Sequence, residues 1–169
     1  MRNSLCTVPH FLQIAVFSCN PFLDFCQSHV ILGKIYLEVI GVTIEERAEL
    51  GAELKKKCNC CQAALLALKD QTGLSEEQIM QLGSGFGSGM GNMEGTCGAL
   101  VGAGMAAGFK LKQKSSTPYT RQISENFRDR CGAVLCKDLK GRDTGAALCS
   151  CEDCVRNAVR AYGKIVGID

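Results

Sequence analysis

The pattern of apolar and polar positions divides the chain near residue 42. Residues 1–41 show no sustained period of 2 or 3.6, whereas from Thr43 onward apolar stretches alternate with helix start and stop signals. We therefore expect residues 42–169 to form a cysteine-rich domain and residues 1–41 to be an N-terminal extension. We identify no convincing strand. The pattern predicts an all-α fold, a small single-domain bundle of about five to six helices.

Helix-start residues define the predicted helices. Thr43-Ile-Glu-Glu46 and Ser75-Glu-Glu-Gln78 match the capping box, in which two side chains satisfy each other's free backbone N–H groups. The predicted helices run from Thr43 to about Lys57, from Asn59 to Gly73, from Ser75 to the glycine run, from Thr96 to about Phe109, from Thr117 to about Arg130 and from Ser150 to about Val166.

Residues 1–41 differ in composition from the rest and hold four of the seven phenylalanines. Their apolar run, residues 11–17, lacks a small-x-small cleavage site, and residues 30–42 are too few and too charged to span a bilayer. Our leading interpretation is that translation starts at Val42 through a GUG codon. A targeting or lipid-anchor segment and an authentic extra helix are the alternatives. We expect a cytoplasmic protein, or an exported or lipid-anchored one if the segment directs targeting.

Charge and cysteine content narrow the chemistry. The net charge of +2 is too mild, and the basic residues too scattered, to favour nucleic-acid binding. Nine of the twelve cysteines lie in residues 42–169, which contain no histidine. Cys–His and Ser–His nucleophile pairs and imidazole zinc sites are therefore excluded from this domain. Thiol redox chemistry, or a metal or cluster held by thiolates, remains.

Three cysteines follow predicted helix caps. Cys60, Cys97 and Cys151 come directly after Asn59, Thr96 and Ser150, at the first position of a helix. The helix dipole and the free N–H groups at that position favour an anion, so we expect these thiols to tend toward thiolate.

Other motifs leave alternatives open. Gly98 and Gly102 allow either close helix packing or room for a cofactor. Cys151-Glu-Asp-Cys154 lacks both the histidine of haem attachment and the βαβ setting of thioredoxin. Cys149, Cys151 and Cys154, with Cys131 and Cys136 upstream, are dense enough to bind metal, although their spacing matches no standard ferredoxin run.

Four segments resemble the C_GCAxxG_C_C family, whose redox activity is inferred from its cysteines. The segments are Asn59-Cys60-Cys61-Gln62-Ala63, the glycine-rich stretch from Gly83 to Gly102, Leu135-Cys136-Lys137-Asp138-Leu139-x-Gly141, and Cys151 with Val155. The resemblance covers roughly residues 43–166 and implies a small helical protein of bacteria or archaea. It places the four family cysteines at Cys60, Cys97, Cys136 and Cys151. The chain departs from the family in its Glu94-Gly95 order and in five additional cysteines.

We accordingly predict that Cys60, Cys97, Cys136 and Cys151 form one redox-active site and also serve as metal ligands, with Gly98 and Gly102 beside the cofactor. An iron–sulfur cluster used for electron transfer is the leading expectation. A metal-free thiol–disulfide oxidoreductase is one alternative, and a non-enzymatic binding module with a structural zinc on four thiolates is the other. We expect a redox partner protein, no nucleic acid and no membrane span, with a homodimer as a possible assembly.

Overall fold

The computed structural model describes residues 42–168, so our interpretation of residues 1–41 lies outside the described part of the chain. Residues 42–168 contain six helices of seven or more residues and no strand, which confirms the predicted all-α class. None of the helices in this region is both long enough and apolar enough to cross a membrane.

Eight α-helices in residues 42–168 are named here in chain order. They are α1 (Ile44–Lys55), α2 (Cys60–Ala67), α3 (Lys69–Thr72), α4 (Glu76–Leu82), α5 (Gly98–Leu111), α6 (Thr117–Cys131), α7 (Cys136–Leu139) and α8 (Cys151–Val166). A 3-10 turn, Ser84–Phe86, follows α4. The helix predicted from Asn59 to Gly73 is interrupted at Leu68 into α2 and α3, and α7 was not predicted, because neither α3 nor α7 carries a capping side chain that marks its start.

Four of the predicted helix caps are confirmed by their hydrogen bonds. Thr43, Asn59 and Ser75 form complete capping boxes at the starts of α1, α2 and α4. The Ser150 hydroxyl accepts a 3.0 Å hydrogen bond from the backbone N–H of Asp153 at the start of α8. Local side-chain chemistry therefore fixes where these helices begin.

The predicted cap at Thr96 is wrong by one residue. Cys97 is the N-cap of α5, and Gly98 is the first helical residue. Thr96 instead pairs with Leu135 in an isolated antiparallel bridge. That contact with a distant segment holds Thr96 in an extended arrangement, so the helix starts after Cys97.

Helix α8 lies at the centre of the bundle and packs against α1, α2, α5 and α6. Its face toward these helices is buried along its length, and the side chain of Tyr162 is completely enclosed with Phe127 and Leu65. The charged face of α8 stays at the surface, where Arg156 and Arg160 form ion pairs with α1. The apolar face thus supplies most of the core contacts of α8.

Helices α2 and α5 approach closely because α5 carries small residues. A Cβ atom at Gly102 would stand 2.7 Å from the carbonyl oxygen of Cys61, and one at Gly98 would collide with the carbonyl oxygen of Phe86. Both glycines are buried. Close packing therefore accounts for these glycines, and their contact with a cofactor stays a prediction.

Candidate thiol site

The nine cysteines of residues 42–168 are all free thiols. Most of them gather where the starts of α2, α5, α7 and α8 meet the end of α6. The full set of nine is Cys58, Cys60, Cys61, Cys97, Cys131, Cys136, Cys149, Cys151 and Cys154.

Cys60 and Cys151 are neighbouring thiols at two helix starts. Each is the first residue of its helix, Cys60 in α2 and Cys151 in α8. The neighbouring thiol of Cys151, followed by burial, raises the pKa of Cys60. The neighbouring thiol of Cys60 lowers the pKa of Cys151 to about 5 against the opposing effect of burial, with further help from the ammonium group of Lys140. The pair therefore combines a protonated thiol with a thiolate.

Accessibility separates the two members of this pair. Cys60 is buried, with 8% of its surface exposed, whereas Cys151 is only partly buried. A reagent approaching from solvent therefore meets Cys151 first. This arrangement fits a nucleophilic thiol at the surface with a second thiol behind it.

The expected tendency toward thiolate is wrong for Cys60 and Cys97, and at Cys151 the pKa is lowered by Cys60 and Lys140 rather than by the helix start. The neighbouring thiol of Cys154, together with burial, raises the pKa of Cys97, although the backbone N–H groups of Ala99 and Leu100 act to lower it. Burial disfavours the charged thiolate. A neighbouring thiol that interacts with the protonated form disfavours the thiolate further. These effects exceed the stabilisation by the helix N-terminus at both buried positions.

Backbone pairing between two loops positions Cys97 and Cys136. The N–H of Cys97 donates a 2.8 Å hydrogen bond to the carbonyl of Val134, and the N–H of Cys136 donates a 3.0 Å bond to the carbonyl of Gly95. The two cysteines thus lie on adjacent segments that are held together by their main chains.

Glu94 strengthens this pairing from the surface. Its carboxylate binds Lys137 at 3.0 Å and Arg142 at 2.7 Å, which links the glycine-rich loop to the segment that carries Cys136. The unusual Glu94-Gly95 order therefore places a carboxylate where two cations of the α7 region can reach it.

The four cysteines named from the family resemblance lie in one neighbourhood. Cys60 lies near enough to Cys97 and Cys151 for their charges to raise its pKa, and Cys136 responds in the same way to Cys97 and Cys151. Within residues 42–168, however, no three of these four sulfurs fall within 4.8 Å of one another. Ligands of one zinc ion sit roughly 4 Å apart, so these four thiols do not form a ready single-ion site. Their assignment as redox-active and metal-binding residues stays a prediction.

A second cluster consists of cysteines outside the family's four. The sulfurs of Cys131, Cys149 and Cys154 all lie within 4.8 Å of one another, and those of Cys131 and Cys149 are 3.5 Å apart. These cysteines are dense in the sequence, but their spacing there does not separate them as a group. Only the fold shows that the end of α6 meets the start of α8.

Lys140 is the cation of the thiol site, and sequence analysis missed it. Its ammonium group donates a 2.7 Å hydrogen bond to the carbonyl of Cys149 and lies 3.6 Å from the sulfur of Cys154. Burial acts to lower the pKa of Lys140, but the thiols of Cys154, Cys151 and Cys97 together raise it. A positive charge is thereby held among several groups that become anionic when deprotonated.

Comparison with known proteins identifies the family. No curated protein and no solved structure matches the chain significantly. Residues 58–165 match the family described as putative redox-active protein (C_GCAxxG_C_C). The match covers more than half of the chain and spans all four cysteines that carried the resemblance. The chain therefore belongs to the C_GCAxxG_C_C family.

Proposed function

We propose that this protein is a thiol–disulfide redox protein that cycles Cys60 and Cys151 between dithiol and disulfide. The observation that carries the proposal is that these two thiols, each the first residue of its helix, lie close enough for each to shift the pKa of the other. Disulfide formation requires neighbouring sulfurs and suitable Cβ positions, and these two thiols are neighbours.

The substrate in this proposal is a disulfide of a partner protein or small molecule. The sulfur of Cys151 attacks one substrate sulfur, forms a mixed disulfide and releases the other substrate sulfur as a thiolate. The sulfur of Cys60 then attacks the sulfur of Cys151, releases the second substrate thiolate and passes its proton to it. The protein thiol–thiolate pair is oxidised by two electrons, and the substrate disulfide is reduced to one thiol, which receives the proton of Cys60, and one thiolate, which can take a proton from solvent.

The site divides these roles by position. Cys151 is partly exposed and lies near Lys140, whose charge favours the thiolate that attacks. Cys60 is buried behind it and serves as the resolving thiol. A reducing compartment would regenerate the dithiol, so a cytoplasmic location accompanies this proposal.

An iron–sulfur cluster is the second candidate, and the spacing of the four family cysteines favours it over a single zinc ion. A cluster carries several iron atoms, so its cysteine ligands can lie further apart than the ligands of one ion. Cys60, Cys97, Cys136 and Cys151 share a neighbourhood without the mutual contacts that one ion needs. Lys140 would offset part of the negative charge of such a cluster. The cluster would supply one-electron transfer.

Trapping of the mixed disulfide tests the leading proposal. The fully reduced full-length protein is mixed with an aromatic disulfide whose released thiol absorbs visible light. We expect rapid release of two thiols by the wild type. Cys60→Ser should release one and retain the other as a mixed disulfide on Cys151, and Cys151→Ser should lose the rapid phase.

Cys58 offers a matched control for this experiment. Its thiol is also partly buried, and it donates a 3.3 Å hydrogen bond to the carbonyl of Leu54 rather than to another thiol. Cys58→Ser should therefore behave like the wild type. Wild-type kinetics in both Cys60→Ser and Cys151→Ser would show that the pair is not the redox centre.

A further inference from the structure

The end of α6, the loop before α8 and the first turn of α8 each contribute one thiol to a compact group. Cys131 is the last residue of α6, Cys149 lies in the loop, and Cys154 is in the first turn of α8. Cys131 and Cys154 are buried, and Cys149 is partly buried. Their sulfurs lie within 4.8 Å of one another.

We propose that Cys131, Cys149 and Cys154 bind a zinc ion, with a water molecule in the fourth position. Zinc–sulfur bonds are about 2.3 Å long, and two sulfurs on one tetrahedral zinc therefore sit roughly 4 Å apart. The sulfurs of Cys131 and Cys149 are 3.5 Å apart, and all three sulfurs lie within 4.8 Å of one another, so their separations are compatible with this value. The three thiols are thus close to the arrangement of ligands before an ion enters.

Groups around the three sulfurs complete the site. The side-chain amide of Asn157 donates a 3.3 Å hydrogen bond to the sulfur of Cys131, and the Lys140 ammonium group lies 3.6 Å from the sulfur of Cys154. Outer-shell donors of this kind orient thiolate ligands and stabilise their charge.

The local charge balance agrees with three thiolates and one divalent ion. Three thiolates with Zn²⁺ carry a net charge of −1, and Lys140 is the cation that lies against this group. The binding step exchanges three thiol protons, released to solvent, for three zinc–sulfur bonds, and nothing is oxidised or reduced.

This site does not rest on the Cys60–Cys151 redox proposal, because neither of those thiols is a ligand. Its structural consequence is a link between α6, the Cys149 loop and α8. Since the loop immediately precedes Cys151, a bound ion would fix the position from which α8 begins. An ion that binds the folded chain but not the unfolded chain would also raise the stability of the folded state.

Zinc titration of the reduced full-length protein against a coloured chelator, without oxygen, tests the proposal. We expect one tight equivalent. Cys149→Ser should weaken binding by more than about 100-fold, beyond the roughly 10- to 100-fold that loss of an outer-shell partner costs. Cys58→Ser, Cys60→Ser and Cys151→Ser should retain the affinity of the wild type. With Co²⁺ as the probe, the thiolate-to-cobalt absorption band should appear in the wild type and not in Cys149→Ser.

A measurement on the wild-type protein tests the proposal without variants that could misfold. Cys149 and Cys58 are both partly buried free thiols, so zinc should slow alkylation of Cys149 and leave that of Cys58 unchanged. Failure to bind zinc tightly would overturn the proposal. Equal protection of both thiols, or loss of zinc in Cys60→Ser with retention in Cys149→Ser, would overturn it as well.

Discussion

The ammonium group of Lys140 lies 3.6 Å from the sulfur of Cys154, inside a group of free thiols. The same ammonium group donates a 2.7 Å hydrogen bond to the carbonyl of Cys149. One side chain therefore connects the short helix α7 to the start of α8. The thiol site is not built from cysteines alone, because this cation balances the charge that deprotonated thiols create.

Replacement of Lys140 by methionine should destabilise the reduced protein. Lys140→Met keeps an unbranched stem but leaves the carbonyl of Cys149 without its donor, and a hydrogen bond to a charged group contributes about 1.5–3 kcal/mol. Urea unfolding under reducing conditions measures the loss. Lys137→Met is the control, because Lys137 bonds only the exposed carboxylate of Glu94 and its loss should cost clearly less. Equal losses would show that Lys140 has no special part in the site.

Alanine at Gly98 should destabilise the fold, whereas alanine at Gly108 of the same helix should not. A Cβ atom at Gly98 collides with the backbone oxygen of Phe86, and overpacking of this kind costs about 1–3 kcal/mol or more. At Gly108 the nearest atom is the Ser116 hydroxyl oxygen at 3.6 Å, which is ordinary contact, and alanine favours helix by about 1 kcal/mol. Thermal melting of both variants checks this prediction, and a Gly98→Ala protein as stable as the wild type would contradict it.

Removal of the Asn59 side chain should cost more than removal of the Ser75 side chain. Both residues cap helices, and loss of a cap typically costs about 1 kcal/mol. The amide of Asn59 also donates hydrogen bonds to the carbonyls of Gly83 and Ser84, at 3.0 and 3.2 Å. We expect Asn59→Ala to lose about 2 kcal/mol or more and Ser75→Ala about 1 kcal/mol in denaturant unfolding. The reverse order would mean that the contacts of Asn59 with the 3-10 turn region contribute little.

Alkaline pH should destabilise the reduced protein through Cys61. This thiol is fully buried, and burial followed by the nearby Cys97 raises its pKa from 9.0 to about 12. In the unfolded chain the thiol ionises near its ordinary pKa, whereas the folded chain keeps the proton. The stabilisation is therefore complete below pH 9 and is lost as the pH rises toward 12. Chemical denaturation between these pH values should show a shallower decline for Cys61→Ala than for the wild type; identical slopes would exclude the effect.

Capping chemistry explains which parts of the fold the sequence predicts. The caps at Thr43, Asn59, Ser75 and Ser150 depend on side chains within three residues of the helix start, so they are visible in the sequence. The start of α5 depends on the bridge between Thr96 and Leu135, which are far apart in the chain. No local pattern indicates that contact.

The same distinction applies to the thiol site. The resemblance to a known family predicted Cys60 and Cys151 as site residues, and the fold brings them close enough to shift each other's pKa. The pKa values of Cys60 and Cys97 could not be predicted, because burial and neighbouring thiols outweigh the helix N-terminus only after the helices pack. The position of Lys140 likewise depends on tertiary packing.

Mapping of disulfides after oxidation tests the central claim most directly. The full-length protein is purified without oxygen, assayed for iron and sulfide, fully reduced, equilibrated with a small-molecule disulfide, alkylated and digested for mass spectrometry. The proposal predicts little iron or sulfide and one dominant linked peptide that joins Cys60 to Cys151. Visible absorbance with stoichiometric iron and sulfide would contradict it in favour of a cluster, and a dominant linkage that leaves Cys60 and Cys151 as free thiols would contradict it outright.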